Sequence, residues 1–371
     1  MQTSYWEEDT LYKSYDVSIV GAGFTGLWTA LQIKEKYPDL KVVVCDSAHY
    51  PLGASTRNAG FACFGSISEI LADVQSMGWD KTLQLIEKRF KGLEFIQNKL
   101  DPREFNFEIT GGFELMKQEI SDAEINLVNH KINKITSIPN TFECQNNIKE
   151  KFELGNWGSN QIIFNLLEGS LHPGKLVEIL IRECYKLKIN FIWNQKLLSW
   201  ENEKNHLKLN FKNFSLESQK LLLCTNAFTP AVLDLAVTPA RGQIILTSEI
   251  PNLRLNGVFH SDEGFIYFRN VGNRVLLGGM RNQDFETENT TEFASNLSIL
   301  NQLKTYLQEI ILPGKSFEIT HHWSGIMAMG QDKSYLLGES EPEVYYAVRL
   351  SGMGVALAPE IAKEAINLMM K

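Results

Sequence analysis

The pattern of apolar and polar positions near the N-terminus predicts a strand, a tight turn and a helix. The run "VSIV", which ends at Val20, is apolar and β-branched, as is typical of a buried parallel strand. Beyond the turn, apolar residues recur at helical spacing at Leu27, Ala30, Leu31 and Ile33. The turn between the two elements contains Gly21, Gly23 and Gly26.

A glycine-rich turn of this kind is typical of dinucleotide binding. The first glycine permits the bend, the second lets a pyrophosphate approach the backbone, and the third lets the helix pack closely on the strand. The helix start, at Phe24 and Thr25, presents unpaired N–H groups to phosphates. The next strand, "KVVVCDS", ends in Asp46 and Ser47, and Asp46 lies about twenty residues past Gly26, the offset of a carboxylate that binds ribose hydroxyls. An acid there disfavours NADP, but the turn alone does not choose between NAD and FAD.

Two further segments favour FAD. The first, "GASTRNAGF", is a glycine-flanked run of small and polar residues at Gly53–Phe61. In the second, near the C-terminus, a strand meets Gly352 and Gly354 before an amphipathic helix. The N-terminus of that helix could stabilise negative charge on the pyrimidine edge of a reduced flavin, a task with no counterpart for nicotinamide. The alternative is a glycine-capped helix that only closes the domain.

Together these segments resemble the FAD-dependent D-amino acid oxidase superfamily, especially its glycine oxidase, sarcosine oxidase and gamma-glutamylputrescine oxidoreductase branch. The resemblance spans most of the chain. It is carried by "SYW" at Ser4–Trp6, "VGAGFTGL" at Val20–Leu27, "GASTRNAG" at Gly53–Gly60, "GSLHPGKL" at Gly169–Leu176, "CTNAF" at Cys224–Phe228, "PARGQ" at Pro239–Gln243 and "SGMG" at Ser351–Gly354.

The resemblance implies a set of FAD-binding residues that extends along the chain. They are Gly21, Gly23, Phe24, Thr25, Gly26, Asp46, Ser47, Ser55, Thr56, Arg57, Asn58, Ala59, Gly60, Leu197, Thr225, Asn226, Ala227, Gly325, Gly352, Met353 and Gly354. It also implies noncovalent FAD. Sarcosine oxidases attach the flavin through a late cysteine, and this chain has none after Cys224. Related demethylating dehydrogenases use a histidine where this chain has Arg57 and Asn58.

The fold class expected from the resemblance is α/β (α+β), with a Rossmann-like FAD-binding domain and an interleaved antiparallel-sheet substrate domain. The FAD domain is expected at 1–75, 160–230 and 320–371, and the substrate domain at 76–159 and 231–319. Within them, "GKLVEILIRECYKLK" predicts a crossover helix. The segments "GFIYFRN" and "NRVLLGGMR" predict an antiparallel pair of strands joined by "VGN".

The chemistry requires a neutral amine whose α-C–H lies near flavin N5, after which hydride leaves and an imine forms. Amino-acid oxidases of this family commonly bind the substrate carboxylate with an arginine, but Thr320–Gly338 contains no arginine, and the aligned positions are Ile326 and Met327. Arg281 and Arg269 are therefore candidates for a relocated clamp, since a guanidinium suits carboxylates. A surface salt bridge is the alternative for both.

Two more side chains are candidates for contact with the substrate. Tyr267 could donate its phenol, although buried tyrosines with ordinary partners are common. His321 and His322 are adjacent on a strand, so only one of them can face a cavity, and His322 is taken as the catalytic candidate against a hydrogen-bonded structural role. The segment "RVLLGGM" lacks the oxygen-activating lysine of sarcosine oxidases, so rapid reaction with oxygen is left open.

Composition and charge limit the kinds of partner and the location that the chain can have. The net charge of −8 has no basic run to offset it, which argues against nucleic acid and for a small-molecule partner. The N-terminus lacks a secretory pattern and no apolar run is long enough to span a bilayer, so a cytoplasmic location is expected. The five cysteines have no paired spacing, so neither a disulfide framework nor a metal site is expected.

The leading hypothesis is an FAD-dependent oxidoreductase acting on the C–N bond of an amine or amino acid, with oxygen or another electron acceptor. A noncatalytic flavin-binding subunit is the alternative, because the family's clamp and lysine are missing at their usual positions. An NAD-dependent dehydrogenase is a further alternative, against which "GASTRNAG" and "SGMG" argue.

Overall fold

A computed structural model describes residues 3–371; Met1 and Gln2, the first two positions of the expected FAD domain, lie outside the described residues. The α/β class is confirmed. The strands are β1 Tyr15–Val20, β2 Val42–Cys45, β3 Phe61–Ala62, β4 Gly112–Leu115, β5 Phe142–Cys144, β6 Ile162–Asn165, β7 Gly169–Ser170, β8 Asn190–Ile192, β9 Leu197–Asn202, β10 Leu207–Phe211, β11 Ser215–Leu223, β12 Thr238–Thr247, β13 Val258–Ser261, β14 Ile266–Val271, β15 Arg274–Gly279, β16 Ile319–Met329, β17 Leu336–Glu341 and β18 Val344–Val348.

Helices connect these strands in both halves of the chain. The α-helices are α1 Tyr5–Thr10, α2 Phe24–Lys36, α3 Ala54–Arg57, α4 Ile67–Lys99, α5 Asp122–Thr136, α6 Ile148–Phe152, α7 Pro173–Lys186, α8 Phe285–Glu288, α9 Leu297–Tyr306 and α10 Gly354–Met369. Helix α4 is interrupted at Gly78, whose φ of 79° is not helical. Among the described residues, no helix combines the length and the hydropathy needed to cross a membrane.

The chain forms two compact units, each assembled from separate segments. Unit 1 contains the chain up to Thr56, Gly174–Pro239 and Met327–Lys371, and unit 2 contains Arg57–Pro173 and Ala240–Ile326. Residues 57–75 and 160–173 therefore lie in unit 2, although the sequence assigned them to the FAD domain. The reason is packing, since Ile67 at the start of α4 joins the same apolar cluster as Ile163 of β6.

Unit 1 is built on a sheet in the order β17-β18-β11-β1-β2-β8, with the hairpin β9-β10 paired to β11. Strands β18, β11, β1, β2 and β8 run parallel. Most side chains of β1 and β2 and the last three of β11 are apolar and buried, as is typical of strands covered on both faces. The predicted crossover helix is confirmed as α7, which precedes β8. Parallel strands place their carboxyl ends at one edge of the sheet, where an α/β fold binds ligands.

Unit 2 is built on a sheet in the order β16-β12-β15-β14-β13-β4-β6-β5, in which β13 and β4 are parallel. The predicted hairpin is confirmed: β14 and β15 pair antiparallel across Gly272 and Asn273. Aromatic rings stack in one core of this unit, where the Phe259 ring lies against Phe113 and Phe268 with centroids 5.0 and 4.7 Å apart. Tyr267, Arg269 and His322 lie on this sheet, and Arg281 follows β15.

Candidate cofactor and substrate sites

The glycine turn in unit 1 brings backbone atoms into contact where a side chain would not fit. Gly21 has a φ of 110°, and a Cβ atom there would lie 2.6 Å from the Cys224 carbonyl oxygen. A Cβ atom at Gly26 would lie 1.9 Å from the Gly21 carbonyl oxygen. Helix α2 can therefore pack against the end of β1 only because these positions lack side chains.

The N-terminus of α2 has unused hydrogen-bond donors. Gly23 is the N-cap and supplies no side-chain acceptor. The Phe24 N–H donates to Ser55 Oγ at 2.9 Å, whereas the N–H groups of Thr25 and Gly26 have no partner among residues 3–371. Two unused N–H groups at the positive end of a helix form a site for an anion such as a diphosphate.

Asp46 lies at the carboxyl end of β2 and is held in place by the backbone. Its Oδ2 atom accepts from Ala22 N at 2.8 Å and its Oδ1 atom accepts from Ala48 N at 2.9 Å. Burial raises the pKa of Asp46, while the two hydrogen bonds oppose that shift. Each oxygen keeps a further lone pair for a ribose hydroxyl. Ser47, the next residue, is exposed.

The segment that follows β11 is tied to the C-terminal part of unit 1. Asn226, whose φ is 45°, accepts a hydrogen bond from Arg349 N through Oδ1 at 3.1 Å. The hydroxyls of Thr225 and Thr229 lie 2.9 Å apart, and Ala227 is buried. Leu197, the expected adenine contact, starts β9 with its side chain in the core.

The C-terminal turn carries a second helix start with unused donors. Gly352 has a φ of 80°, and Met353 caps α10 without a side-chain hydrogen bond. The N–H groups of Gly354 and Val355 have no partner in the described part of the chain. The Ser351 hydroxyl is buried and also lacks a partner there. Together with the α2 start, these donors fit a cofactor that carries negative charge and hydrogen-bond acceptors.

The polar loop that precedes β3 is divided between the units. In unit 1, Thr56 donates to the Pro51 carbonyl. In unit 2, Arg57 donates from Nη1 to the Ser324 carbonyl at 3.1 Å and stacks on Phe293 at 4.6 Å from the ring centroid. A Cβ atom at Gly325 would lie 3.2 Å from Arg57 Cβ, so glycine lets β16 pass close to this loop.

Arg269 binds backbone carbonyls of unit 2. Its Nε atom donates to Ala59 O at 2.6 Å, and its Nη2 atom donates to Leu171 O at 3.0 Å. The adjacent Gly60 has a φ of 72°, and a Cβ atom there would lie 2.8 Å from Arg269 Nη2. The amide of Gly60 donates to Asn58 Oδ1 at 2.9 Å. Arg269 thus fixes the loop, and its donors are directed at carbonyls of the chain itself.

Arg281 differs, because its guanidinium has no hydrogen bond or ion pair within residues 3–371. It is partly buried and stacks on Phe285, 4.6 Å from the ring centroid. Burial lowers the pKa of Arg281, with the charge of Glu288 acting in the opposite direction. Glu288 itself is bound by Arg241, with 2.7 Å between Oε1 and Nη2.

Tyr267 lies on β14 opposite Gly278 of β15. A Cβ atom at Gly278 would be 2.5 Å from the tyrosine ring, so glycine leaves the space that the ring occupies. Burial raises the pKa of Tyr267 to about 12, and the charge of Arg281 opposes the shift. The phenol is therefore a neutral hydrogen-bond donor near a cation. It belongs to an apolar cluster with Leu276 and Trp323.

His322 is exposed on β16, as is His321. The Nδ1 atom of His322 lies 3.1 Å from Ser295 Oγ, at the start of the segment that leads into α9. Ile326, one of the two apolar positions that align with the family's usual arginine, is buried with 1% of its surface exposed. His322 has the hydrogen-bonded surroundings of the structural alternative.

Sequence reasoning missed two groups of buried polar residues. In unit 1, Arg349 is buried with a φ of 62° and donates from Nε to the Ser334 carbonyl at 2.9 Å. In unit 2, His260 Nε2 lies 2.9 Å from Glu168 Oε2, and Glu114 accepts from Ser66 at 2.9 Å.

Electrostatics couple these acids of unit 2 to the histidine. Burial opposes charge on His260, but the carboxylates of Glu168, Glu114 and Glu69 together outweigh it, so the pKa of His260 is raised. For the acid Glu114, burial raises the pKa. His260, Glu168 and Glu114 lie on three separate segments, so their spacing along the chain gave no signal.

Two solved oxidoreductases share this fold. An L-proline dehydrogenase from P. horikoshii superposes with a TM-score of 0.80 at 17% identity, covering 97% of this chain and 94% of that one. A glycine oxidase from Geobacillus kaustophilus superposes with a TM-score of 0.79 at 15% identity, covering 96% of this chain and 95% of that one. At such identities the likeness establishes the fold alone.

Sequence comparison extends the likeness. The chain is 24% identical over 380 residues to a probable oxidoreductase, OrdL, from Haemophilus influenzae, which covers 96% of this chain and 84% of that relative. The model of the DAO family, described as FAD dependent oxidoreductase, matches residues 16–368. The resemblance inferred from the glycine motifs is thereby confirmed. The chain belongs to the DAO family of FAD-dependent oxidoreductases.

Proposed function

We propose that this enzyme oxidises the C–N bond of an amino acid whose carboxylate is bound by Arg281. The observation that carries the proposal is the partly buried guanidinium of Arg281, which has no hydrogen bond or ion pair among the described residues. Taking a guanidinium partly out of water is costly unless an anion pairs with it. A planar carboxylate matches its donor geometry.

The FAD-binding residues are assigned from their backbone geometry. Thr25 and Gly26 would donate to the diphosphate, Asp46 would accept from the ribose, and the start of α10 at Gly354 would face negative charge on the flavin. Bound FAD would supply a two-electron acceptor that takes hydride at N5 from the substrate carbon, leaving an imine. The chain has no cysteine after Cys224 and no histidine at positions 57 and 58, so the cofactor is proposed to be noncovalent.

Tyr267 is assigned a binding role beside Arg281. Its phenol stays protonated because its pKa is about 12, so it can donate a hydrogen bond to a carboxylate across the working pH range. The apolar residues around it, including Leu276 and Trp323, exclude water from the ring. Exclusion of water strengthens the pairing of a carboxylate with Arg281. No residue of the chain is assigned as a base, since the neutral amine can lose hydride without one.

The activities named for two similar proteins support an amino-acid substrate. One is an L-proline dehydrogenase and another a glycine oxidase. The second candidate is an amine without a carboxylate, which the buried and apolar Ile326 favours because it stands where this family commonly has its arginine.

Flavin bleaching under anaerobic conditions tests the proposal. Amino acids should bleach the 450 nm region of the bound flavin faster than the matching amines that lack a carboxylate. Arg281→Met should raise the half-saturating amino-acid concentration by about 30-fold or more, which corresponds to about 2–5 kcal/mol for a lost buried charge pair. Arg274→Met is the matched control on the same hairpin, because Arg274 binds Thr247 O and Glu249.

Three outcomes separate the alternatives. If amines bleach the flavin faster and Arg281→Met changes nothing, the clamp is absent and the second candidate holds. If Arg281→Met and Arg274→Met raise the half-saturating amino-acid concentration equally, the effect comes from the change in net charge and not from a contact between Arg281 and the carboxylate. If no amine or amino acid bleaches the flavin, the noncatalytic alternative replaces both candidates.

A further inference from the structure

A cluster of a thiol, a carboxylate and an imidazole is buried in unit 2, among residues to which the proposed oxidation assigns no role. Its members are Cys63, just after β3, Glu168, just before β7, and His260 on β13. One ligand atom from each, Sγ, a carboxylate oxygen and a ring nitrogen, lies within 4.8 Å of the other two. Their residues expose 7%, 0% and 5% of their surface.

Two polar side chains at this cluster, Glu168 and Asn165, have bonding capacity that the described residues do not fill. Glu168 uses Oε2 for His260, while its Oε1 atom is buried without a partner. The Nδ2 atom of Asn165 is also buried without a partner. A cavity of about 10 Å³ lies among Asn165, Glu168, His260 and Glu114, which is about the space of one water molecule. A buried carboxylate oxygen without a donor is expensive, so the site is expected to hold a further group.

A glycine on β4 leaves room for the Glu168 carboxylate beside the cavity. A Cβ atom at Gly112 on β4 would lie 2.1 Å from Glu168 Oε2, so any larger residue would push the carboxylate away from His260. Glu114, two residues later, points to the same face of the strand and borders the cavity. Its carboxylate accepts from the Ser66 hydroxyl at 2.9 Å and from Ser68 N at 3.1 Å.

We propose that Cys63, Glu168 and His260 bind a Zn²⁺ ion, with a water in the cavity as the fourth ligand. In tetrahedral zinc sites the bonds are about 2.0–2.3 Å, which separates ligand atoms by roughly 3.5 Å. The 2.9 Å contact between His260 and Glu168 would open, and the other two pairs, which lie within 4.8 Å, would settle at about 3.5 Å. Such shifts are within reach of side-chain rotation.

The charges balance in the bound state. Binding sends the Cys63 thiol proton to solvent. The proton that His260 carries on Nε2 moves to Nδ1, or to solvent where Nδ1 already holds one, so that Nε2 offers its lone pair to the metal. The dication, the thiolate and the Glu168 carboxylate together carry no net charge, as a buried site requires. The ligand set of sulfur, nitrogen and a single oxygen suits zinc and is too soft for calcium or magnesium.

The consequence for the fold is a cross-link among three segments that are distant in sequence. The ion would tie the β3 end and the β7 start to the β13 strand of the larger sheet. Phe61 on β3 already packs edge-on against His260, with 5.2 Å between ring centroids, and against Tyr267 at 5.9 Å. By fixing Cys63 and His260, zinc would also fix the position of the Phe61 ring, which packs against Tyr267.

The test uses the flavin-loaded enzyme, dialysed against metal-free buffer and then given zinc chloride. Elemental analysis after gel filtration should find about one zinc ion per chain, and X-ray absorption at the zinc edge should show a single sulfur at about 2.3 Å with lighter ligands at about 2.0–2.1 Å. Cys63→Ala should remove the sulfur signal and weaken zinc binding by roughly 100-fold, since even outer-shell changes cost about 10- to 100-fold. Cys144→Ala is the control, because Cys144 is exposed.

Several results would overturn the proposal. If the loaded enzyme retains less than about a tenth of a zinc ion per chain, the site does not bind zinc and the cavity holds water only. Bound zinc without sulfur in its first coordination sphere would place the metal elsewhere on the chain. Equal zinc affinity in Cys63→Ala and the unaltered enzyme would do the same. The absorption spectrum of the unaltered enzyme decides the matter even if Cys63→Ala does not fold.

Discussion

Replacing Gly26 by alanine tests the assignment of the glycine turn to the diphosphate. The added Cβ atom would lie 1.9 Å from the Gly21 carbonyl oxygen and 3.3 Å from the Ile19 side chain, whereas ordinary contacts begin at 3.4 Å. The obstacle at Gly21 is backbone, which cannot rotate away. Helix α2 must therefore move from the end of β1 by about 1.5 Å to recover ordinary contact.

That displacement sets the expected size of the effect. A hydrogen bond from Thr25 N or from residue 26 to a phosphate oxygen would lengthen from about 2.9 Å to beyond 4 Å, where it no longer forms. Charge-assisted hydrogen bonds contribute about 1.5–3 kcal/mol each, so the loss of a single bond weakens FAD binding roughly 10- to 150-fold. Overpacking should also lower the free energy of unfolding by about 1–3 kcal/mol.

Quenching of FAD fluorescence on titration into the apoprotein measures the affinity, and urea unfolding measures the stability. Gly53→Ala is the control, since a Cβ atom at Gly53 meets nothing within 4 Å. Its FAD affinity should stay within about twofold of the unaltered chain, as for substitutions that touch nothing. If Gly26→Ala also binds FAD within that range and is equally stable, the turn does not contact the diphosphate.

Four other measurements address the cofactor and the loop. Asp46→Ala should weaken FAD binding by about 1.5–3 kcal/mol. Because burial raises the pKa of Asp46, the carboxylate is protonated at a higher pH than usual, so the FAD affinity of the unaltered chain should fall as the solution becomes acidic. Asp46→Asn should abolish that pH dependence. If FAD affinity depends on pH in the same way in Asp46→Asn and in the unaltered chain, Asp46 is excluded from the site. Arg269→Met should lower the free energy of unfolding by about 1–3 kcal/mol for each carbonyl left without a donor, whereas Arg281→Met should not. Acid precipitation should release FAD into the supernatant, and flavin left with the pellet would contradict noncovalent binding.

Local patterns in the sequence were sufficient for the parts of the fold that depend on neighbouring residues. The strand, turn and helix around Gly21 and the hairpin β14-β15 depend on apolar periodicity and on glycine at tight bends. The same holds for the start of α10 after Gly352. Family resemblance added the link from these elements to FAD, which periodicity alone left open between two dinucleotides.

The unit boundaries were less predictable, because they depend on packing between distant segments. Residues 57–75 follow the FAD motif in sequence, yet Ile67 and Ile70 pack with Phe142 and Ile163 in unit 2. The apolar spacing of α4 shows that one face is buried but does not say which sheet covers it. A position in the chain next to a cofactor motif is therefore weak support for a place in the same unit.

The two arginines of the substrate-side hairpin show the same limit at the level of chemistry. Arg269 and Arg281 were equal candidates in the sequence, since each adjoins a strand of the unit 2 sheet. Folding gives Arg269 the Ala59 and Leu171 carbonyls, which satisfy its donors and fix the loop. Within the described residues the guanidinium of Arg281 lies over the Phe285 ring, which attracts a cation but accepts no conventional hydrogen bond. The partner, and not the residue type, separates an arginine that holds the fold from one that can bind a substrate, and partners are set by contacts between residues far apart in sequence.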